Sequence, residues 1–145
     1  MPDAPAGVKR VLLVDDEPSV IDVLTECFAR FQHGHAYEIE TASNGTDGYL
    51  AVLRVQPDLV VLDMNMPGMD GLQLLKQIRA LDARLPVIMI TANEYTQAAA
   101  DAQTAGVFAY VPKPFDVRRL DHLVALAFST PHRTRGGAPG GASTR

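Results

Sequence analysis

The sequence contains a single cysteine, no tryptophan and no apolar run near the roughly 18 residues that a membrane span requires. Cys27 has no partner for an internal disulfide or a cysteine-based metal site, so we interpret it as a small core residue. Residues 1–8 lack the apolar stretch of a secretory signal. We therefore expect a cytoplasmic protein without a membrane segment.

Positive charge is scarce over most of the chain. The formal net charge is −4, and three of the 13 basic residues lie in residues 129–145, which leaves −7 on residues 1–128. Such an acidic body lacks the electrostatic footprint of a nucleic-acid binder, so no direct nucleic-acid binding is expected. Residues 129–145 are rich in Gly and Pro and are typical of a flexible tail or truncated linker. The expected organisation is a short N-terminal extension (1–9), one folded domain (10–128) and this tail.

Apolar runs and helical patterns alternate along the folded part. The predicted strands are residues 11–14, 37–42, 59–62, 87–90 and 107–111. The predicted helices are residues 18–31, 46–55, 72–81, 95–105 and 117–128. Pro18 suits a first helical turn, with Asp16 or Glu17 available to cap it, and Gly106 suits the end of the fourth helix. The alternation predicts an α/β fold: a five-stranded parallel sheet in flavodoxin-like order 2-1-3-4-5, with helices on both faces.

Polar residues follow the ends of four predicted strands. Asp15 and Asp16 follow the first strand, Asp63 the third, Thr91 the fourth and Lys113 the fifth. Each has an ordinary interpretation alone, as a cap, a strand end or a solvated lysine. Ligands bind at the carboxyl ends of parallel strands where the strand order reverses, so these residues are expected to share one crevice. Three carboxylates there repel one another unless a cation intervenes, and hard oxygen ligands suit Mg²⁺. Such a site indicates phosphoryl chemistry with an aspartate as nucleophile.

Four motifs occupy these strand ends. They are Val-Asp-Asp-Glu-Pro at 14–18, Leu-Asp-Met-Asn-Met-Pro-Gly-Met-Asp-Gly at 62–71, Ile-Thr-Ala at 90–92 and Tyr-Val-Pro-Lys-Pro-Phe at 110–115. On these residues the chain, from 10 to 128, resembles the receiver domains of two-component response regulators, in the single-domain form of chemotaxis regulators. The resemblance implies a phosphoacceptor signalling domain that promotes its own phosphorylation and dephosphorylation, and not an enzyme acting on a separate substrate.

The resemblance also implies a phosphorelay site. Asp63 would accept a phosphoryl group from a histidine kinase or a histidine phosphotransfer protein. Asp16, Asp63 and the backbone carbonyl of Asn65 would bind Mg²⁺ directly, and Asp15 would bind it through water.

Three further residues would complete the site and make it a switch. Lys113 and Thr91 would contact the phosphoryl oxygens, and the peptide bond between Lys113 and Pro114 would be cis. After phosphorylation Thr91 would move inward and Tyr110 would rotate into the vacated space. The surface of the fourth helix, fifth strand and fifth helix would then change, and a downstream protein target would recognise it. The fourth helix contains five alanines over residues 97–105, so its local stability should be low.

Other classes fit the residues less well. A haloacid-dehalogenase-like phosphatase uses a second aspartate two positions after its nucleophile, but Asn65 stands there and cannot transfer that proton. A calcium loop over residues 63–74 fails because Pro67 and Leu74 offer no side-chain oxygen. His33 and His35 have no carboxylate partner nearby in the sequence, so we interpret them as solvated loop histidines. A receiver fragment of a longer regulator with an effector domain remains open.

Overall fold

Five strands and five helices alternate along the chain in a computed structural model that describes residues 7–92 and 97–129. The strands are β1 (Val8–Val14), β2 (Ala36–Ala42), β3 (Leu59–Asp63), β4 (Val87–Thr91) and β5 (Ala109–Pro112). The helices are α1 (Pro18–Arg30), α2 (Gly45–Val55), α3 (Gly71–Leu81), α4 (Gln97–Ala105) and α5 (Val117–Ser129). The predicted first two residues of the fourth helix and the tail from residue 130 onward lie outside the described residues.

The sheet is parallel throughout and has the order β2-β1-β3-β4-β5, which confirms the predicted fold class. Val14 pairs with Leu62, and Asp63 pairs with Ile90. The carboxyl ends of β1, β3 and β4 therefore lie side by side, and the residues that follow them meet at one edge of the sheet.

The apolar residues of β1 alternate between two core layers. Leu12 and Val14 pack in a cluster with residues of α2, α3 and α4, whereas Val11 and Leu13 pack with residues of α1 and α5. Every residue of β3 and β4 is buried, as expected for strands covered by helices on both sides. Burying each large aliphatic side chain contributes about 1.5–3 kcal/mol, so these layers fix the strand ends that carry the polar residues.

The strand boundaries differ from the predicted ones because backbone pairing, and not the apolar pattern, determines where a strand begins. β1 begins at Val8, because Val8 pairs with Ala36 although its side chain is exposed. β5 begins at Ala109, two residues later than predicted. Gly106 ends α4 with a φ of +97°, as its position predicted, and the Val107 N–H bonds back to the carbonyl oxygen of Ala102. The chain therefore joins the sheet only after this turn.

The prediction that Cys27 is a core residue is confirmed. Cys27, on α1, is buried in the layer that α1 and α5 form, and Met64 and Met66 are buried in the layer on the opposite side of the sheet. Within residues 7–92 and 97–129, none of the helices combines the length and the apolar composition needed to cross a bilayer.

Candidate functional site

Three aspartates converge at the carboxyl ends of β1 and β3. One carboxylate oxygen from each of Asp15, Asp16 and Asp63 lies within 4.8 Å of the other two. Asp15 and Asp63 are each 3% exposed, whereas Asp16 is exposed. The cluster predicted from the strand ends is therefore present, with two of its carboxylates removed from solvent.

Backbone groups hold the two buried carboxylates in place. The Glu17 N–H donates a 2.9 Å hydrogen bond to Oδ1 of Asp15, and the Asn65 N–H donates a 3.2 Å bond to Oδ1 of Asp63. Gly71, at the start of α3, approaches the end of β3 so closely that a side-chain carbon there would collide with the carbonyl oxygen of Asp63. This requirement for glycine was missed in the sequence, although Gly71 closes the longest of the four motifs.

Lys113 reaches into the cluster from the end of β5. Its Nζ lies 3.4 Å from Oδ2 of Asp15, 3.4 Å from Oδ1 of Asp63 and 3.0 Å from Oε1 of Glu17. Its backbone N–H donates to the carbonyl oxygen of Thr91, and the following peptide bond to Pro114 is cis, as predicted. Glu17 was expected only as a helix cap, so its contact with Lys113 is a feature that the sequence did not reveal.

Burial dominates the electrostatics of the site. It raises the pKa of Asp63 to about 6; the charge of Asp15 adds to this rise, while the Asn65 N–H and Lys113 oppose it. Burial likewise raises the pKa of Asp15, against the hydrogen bond from Glu17 and the charge of Lys113. Burial would lower the pKa of Lys113, but the hydrogen bond to Glu17 and the charges of Asp63 and Asp15 raise it. Lys113 is therefore a permanent cation that partly offsets crowded carboxylates.

The residues present fit a magnesium ion. Three carboxylates face one lysine ammonium inside the crevice, and burial of two of them makes their negative charge costly without a further cation. Hard oxygen donors in small number are the set that Mg²⁺ accepts while keeping water ligands for a phosphate oxygen. Asp15 and Asp16 also line an open groove of about 510 Å³ between α1 and α2, so this edge of the cluster borders a solvent-filled space.

Thr91 and Tyr110 occupy neighbouring strands beside the aspartates. Thr91 is fully buried at the end of β4, and its hydroxyl oxygen accepts a 3.2 Å hydrogen bond from the side-chain amide of Asn65. Tyr110 pairs with Met89 in the sheet and packs, partly buried, against the core layer that contains α4. Thr91 pairs with Pro112, so the two residues predicted as a switch lie on neighbouring strands and are offset by two residues in register.

The interpretation of His33 and His35 as solvated loop residues is wrong. His33 Nε2 lies 2.6 Å from Oδ1 of Asp121 on α5, and the Tyr37 hydroxyl lies 2.6 Å from His33 Nδ1 and 2.9 Å from His35 Nε2. The carboxylate partner is distant in sequence and near in space, so inspection of the local sequence missed it. The cluster joins the loop before β2 to α5, at the end of the sheet opposite the aspartates.

Comparison with known proteins agrees with the geometry. A family profile described as "Response regulator receiver domain" matches residues 11–125. The regulatory protein AtoC of Escherichia coli K12 is 38% identical over 121 residues, which are 83% of this chain and 25% of AtoC. The DNA-binding transcriptional regulator NtrC of Salmonella typhimurium is 41% identical over 119 residues, which are 82% of this chain and 24% of NtrC. The chain thus spans about a quarter of these relatives.

Two further matches cover nearly the whole of the other protein. The sporulation initiation phosphotransferase F of Bacillus subtilis is 33% identical over 116 residues, which are 80% of this chain and 90% of that protein. The crystal structure of a receiver domain protein described as CheY-like, from Methanospirillum hungatei, superposes with a TM-score of 0.78 at 25% identity, and covers 85% of this chain and 95% of that one. The same order of strands and helices therefore occurs in a solved structure.

Proposed function

The chain belongs to the response regulator receiver domain family, and from this premise we propose that it is the phosphoacceptor of a phosphorelay, with Asp63 as the residue that receives the phosphoryl group. A histidine kinase or a histidine phosphotransfer protein would be the donor. The observation that carries the proposal is the position of Asp63, buried among two further aspartates and 3.4 Å from the ammonium of Lys113.

Asp63 acts as the nucleophile. Its pKa of about 6 leaves the carboxylate largely ionised at neutral pH, although the group is nearly inaccessible to bulk water. One of its oxygens attacks the phosphorus of the donor phosphohistidine, the phosphorus–nitrogen bond breaks, and the imidazole keeps the electron pair of that bond. The product is an aspartyl phosphate.

Asp16, Asp63 and the carbonyl oxygen of Asn65 are the proposed direct ligands of Mg²⁺, with Asp15 bound through water. When bound, Mg²⁺ neutralises the charge of the phosphoryl oxygens. Lys113 places its ammonium next to the same oxygens, because Nζ already lies beside Oδ1 of Asp63. Asn65, two positions after Asp63, offers an amide and not a general base, so no side chain at that position activates water for hydrolysis.

The output follows from Thr91 and Tyr110. A phosphoryl group adds about −1.5 to −2 charge and accepts hydrogen bonds, so it attracts the Thr91 hydroxyl away from Asn65. Movement of Thr91 opens space near the end of β4, and Tyr110 on the adjacent strand rotates toward it. The surface of α4, β5 and α5 then presents a different shape to a protein target.

In a second form of the proposed function, this receiver domain is part of a larger protein with an effector domain. AtoC and NtrC are about four times the length matched here, and NtrC is described as a DNA-binding transcriptional regulator. This domain would then switch an attached effector. Phosphotransferase F, in contrast, is matched over 90% of its length, which supports a stand-alone relay protein. In both forms we propose that the acidic domain itself does not contact nucleic acid.

Incubation with acetyl phosphate, with and without Mg²⁺, tests the proposal. Intact-mass measurement should show one added phosphoryl group in wild type with Mg²⁺ and none in Asp63→Asn. The control is Glu26→Gln, which alters an exposed carboxylate on α1 that does not line the groove beside the aspartates, and it should be phosphorylated like wild type. An unmodified wild type, or equal modification of Asp63→Asn, contradicts the proposal. A chase after removal of the donor then measures how fast the domain dephosphorylates itself.

A further inference from the structure

Glu17 is the N-cap residue of α1, directly before Pro18, but its side chain does not cap the helix. Its carbonyl oxygen accepts the N–H groups of Val20 and Ile21, but its side chain makes no hydrogen bond to the helix terminus. A side chain at the N-cap position ordinarily satisfies one of the free N–H groups there. The sequence predicted Asp16 or Glu17 as the cap; Glu17 holds the N-cap position, but its carboxylate is directed elsewhere.

The carboxylate of Glu17 instead contacts Lys113, which lies 96 residues further along the chain. At 3.0 Å this is the shortest of the three recorded ion pairs of Lys113, since Asp15 and Asp63 both lie at 3.4 Å. The Glu17 side chain is 58% exposed, whereas the side chains of Asp15 and Asp63 are almost fully buried. Glu17 thus pairs with the lysine from the solvent side of the crevice.

We propose that Glu17 is a competitor for the Lys113 ammonium: it pairs with the lysine in the resting site and so competes for it with the phosphoryl group on Asp63. The inference rests on the proposed function. Phosphorylation brings new anionic oxygens to Lys113, and the lysine has to leave Glu17 or share its donors with them. Each interaction that the resting lysine gives up lowers the stability of the phosphorylated state relative to the resting state.

The other partners of Lys113 indicate that Glu17 competes with the phosphoryl group for the lysine and does not help to place the lysine beside it. Asp15 and Asp63 hold Nζ from inside the crevice, and the backbone N–H of Lys113 is bound to Thr91. The lysine therefore stays beside Asp63 without Glu17. Loss of the Glu17 carboxylate removes a competitor for the ammonium and leaves its position unchanged.

The experiment compares Glu17→Gln with Glu26→Gln, which removes an equal charge from an exposed position on the same helix. Each protein, saturated with Mg²⁺, is titrated with beryllium trifluoride as the phosphoryl mimic, and backbone NMR shifts give the dissociation constant. Glu17→Gln should bind the mimic about two to five times more tightly than wild type, the range expected from an exposed ion pair. Glu26→Gln should match wild type.

Three results overturn the inference in distinguishable ways. A wild type that does not bind the mimic with Mg²⁺ present contradicts the proposed function as well. A wild type that binds, with Glu17→Gln equal to or weaker than Glu26→Gln, contradicts the competition alone. Tighter binding by Glu17→Gln, with the Lys113 Nζ chemical shift the same in the unbound variant and in unbound wild type, indicates altered packing and not a lost ion pair.

Glu17→Asp separates pairing from local charge. The aspartate keeps the negative charge but is one methylene shorter, so we expect it to lose the 3.0 Å contact that Glu17 makes with Nζ of Lys113. We expect its dissociation constant to follow Glu17→Gln, and a value equal to wild type contradicts pairing as the cause. Thermal denaturation of each variant shows separately whether the shorter side chain stabilises α1 as a cap.

Discussion

The side-chain amide of Asn65 donates a hydrogen bond of 3.2 Å to the hydroxyl oxygen of Thr91, and so connects the loop after β3 to the end of β4. Because Thr91 is fully buried, we predict that Asn65→Ala lowers the free energy of unfolding by about 1 kcal/mol and increases the side-chain motion of Thr91 without phosphorylation. Urea denaturation and NMR relaxation of the Thr91 methyl group measure the two effects.

A double-mutant cycle with Thr91→Val provides the control. If the hydrogen bond accounts for the cost, the two single variants share it, and the double variant loses less stability than their sum. Strictly additive losses would show that Asn65 stabilises the loop by other contacts.

The raised pKa of Asp63 predicts a pH-dependent stability in the absence of divalent ions. Burial raises this pKa from 3.8 to about 6, so the folded protein binds more protons than the unfolded protein between these values. The free energy of unfolding therefore falls as pH rises from about 4 to about 6 and stays reduced above that. We predict that Asp63→Asn is more stable than wild type at pH 7, by about 2 to 3 kcal/mol, and that the difference disappears near pH 4.

Urea denaturation in EDTA across this pH range tests the prediction. Asp22→Asn, which alters an exposed carboxylate, should show no such trend relative to wild type. The difference in free energy of unfolding between Asp63→Asn and wild type could instead be constant with pH. The amide side chain itself, and not burial of the carboxylate charge, would then be responsible.

Magnesium should offset the loss of stability that the buried carboxylates cause in the folded protein. We predict that Mg²⁺ raises the melting temperature of wild type, because the proposed site, with its three clustered aspartates, exists in the folded protein and not in the unfolded chain. Asp16→Asn and Asp63→Asn should lose most of this shift, and Glu26→Gln, which alters an exposed carboxylate outside the groove, should retain it. Differential scanning calorimetry with and without EDTA measures the shift, and an equal response of all four proteins would place the ion elsewhere.

The site was predictable from the sequence to the extent that strand ends determine it. Asp15, Asp63 and Thr91 follow or end buried apolar runs, and parallel strands bring such ends together whatever the intervening helices contain. Glu17 and Gly71 were missed for different reasons. The partner of Glu17 is a lysine that follows β5, 96 residues further along the chain, and the requirement at Gly71 comes from how closely α3 approaches Asp63.

The fourth helix should be less stable than the first. In the described part of α4 the residue buried in the core is Ala102, whereas α1 buries Leu24, Cys27 and Phe28. With less apolar area removed from water, α4 opens at lower cost. We predict faster amide hydrogen exchange in α4 than in α1, and equal protection of the two helices would contradict this.

Arg79 offers a way to change the rate of amide hydrogen exchange in α4 without changing the rate in α1. Its guanidinium donates bonds of 2.9 Å and 2.7 Å to the Gly106 carbonyl oxygen and so attaches α3 to the turn that ends α4. Arg79→Lys lacks the forked donor and should increase exchange in α4 while leaving α1 unchanged. An equal increase in both helices would indicate global destabilisation.

Tyr37 lies between two histidines, and its single hydroxyl proton fixes the direction of their hydrogen bonds. Both His33 Nδ1 and His35 Nε2 contact the hydroxyl oxygen, so it donates to at most one of them and must accept from the other. His33 uses its other nitrogen to bond Asp121 on α5. Tyr37→Phe keeps the ring but leaves ring nitrogens without a partner, so we predict a loss of about 1 to 2 kcal/mol in the free energy of unfolding. Tyr49→Phe, which removes a hydroxyl from α2, is the control. An equal, small loss of stability in both variants would show that water replaces the Tyr37 hydroxyl without cost.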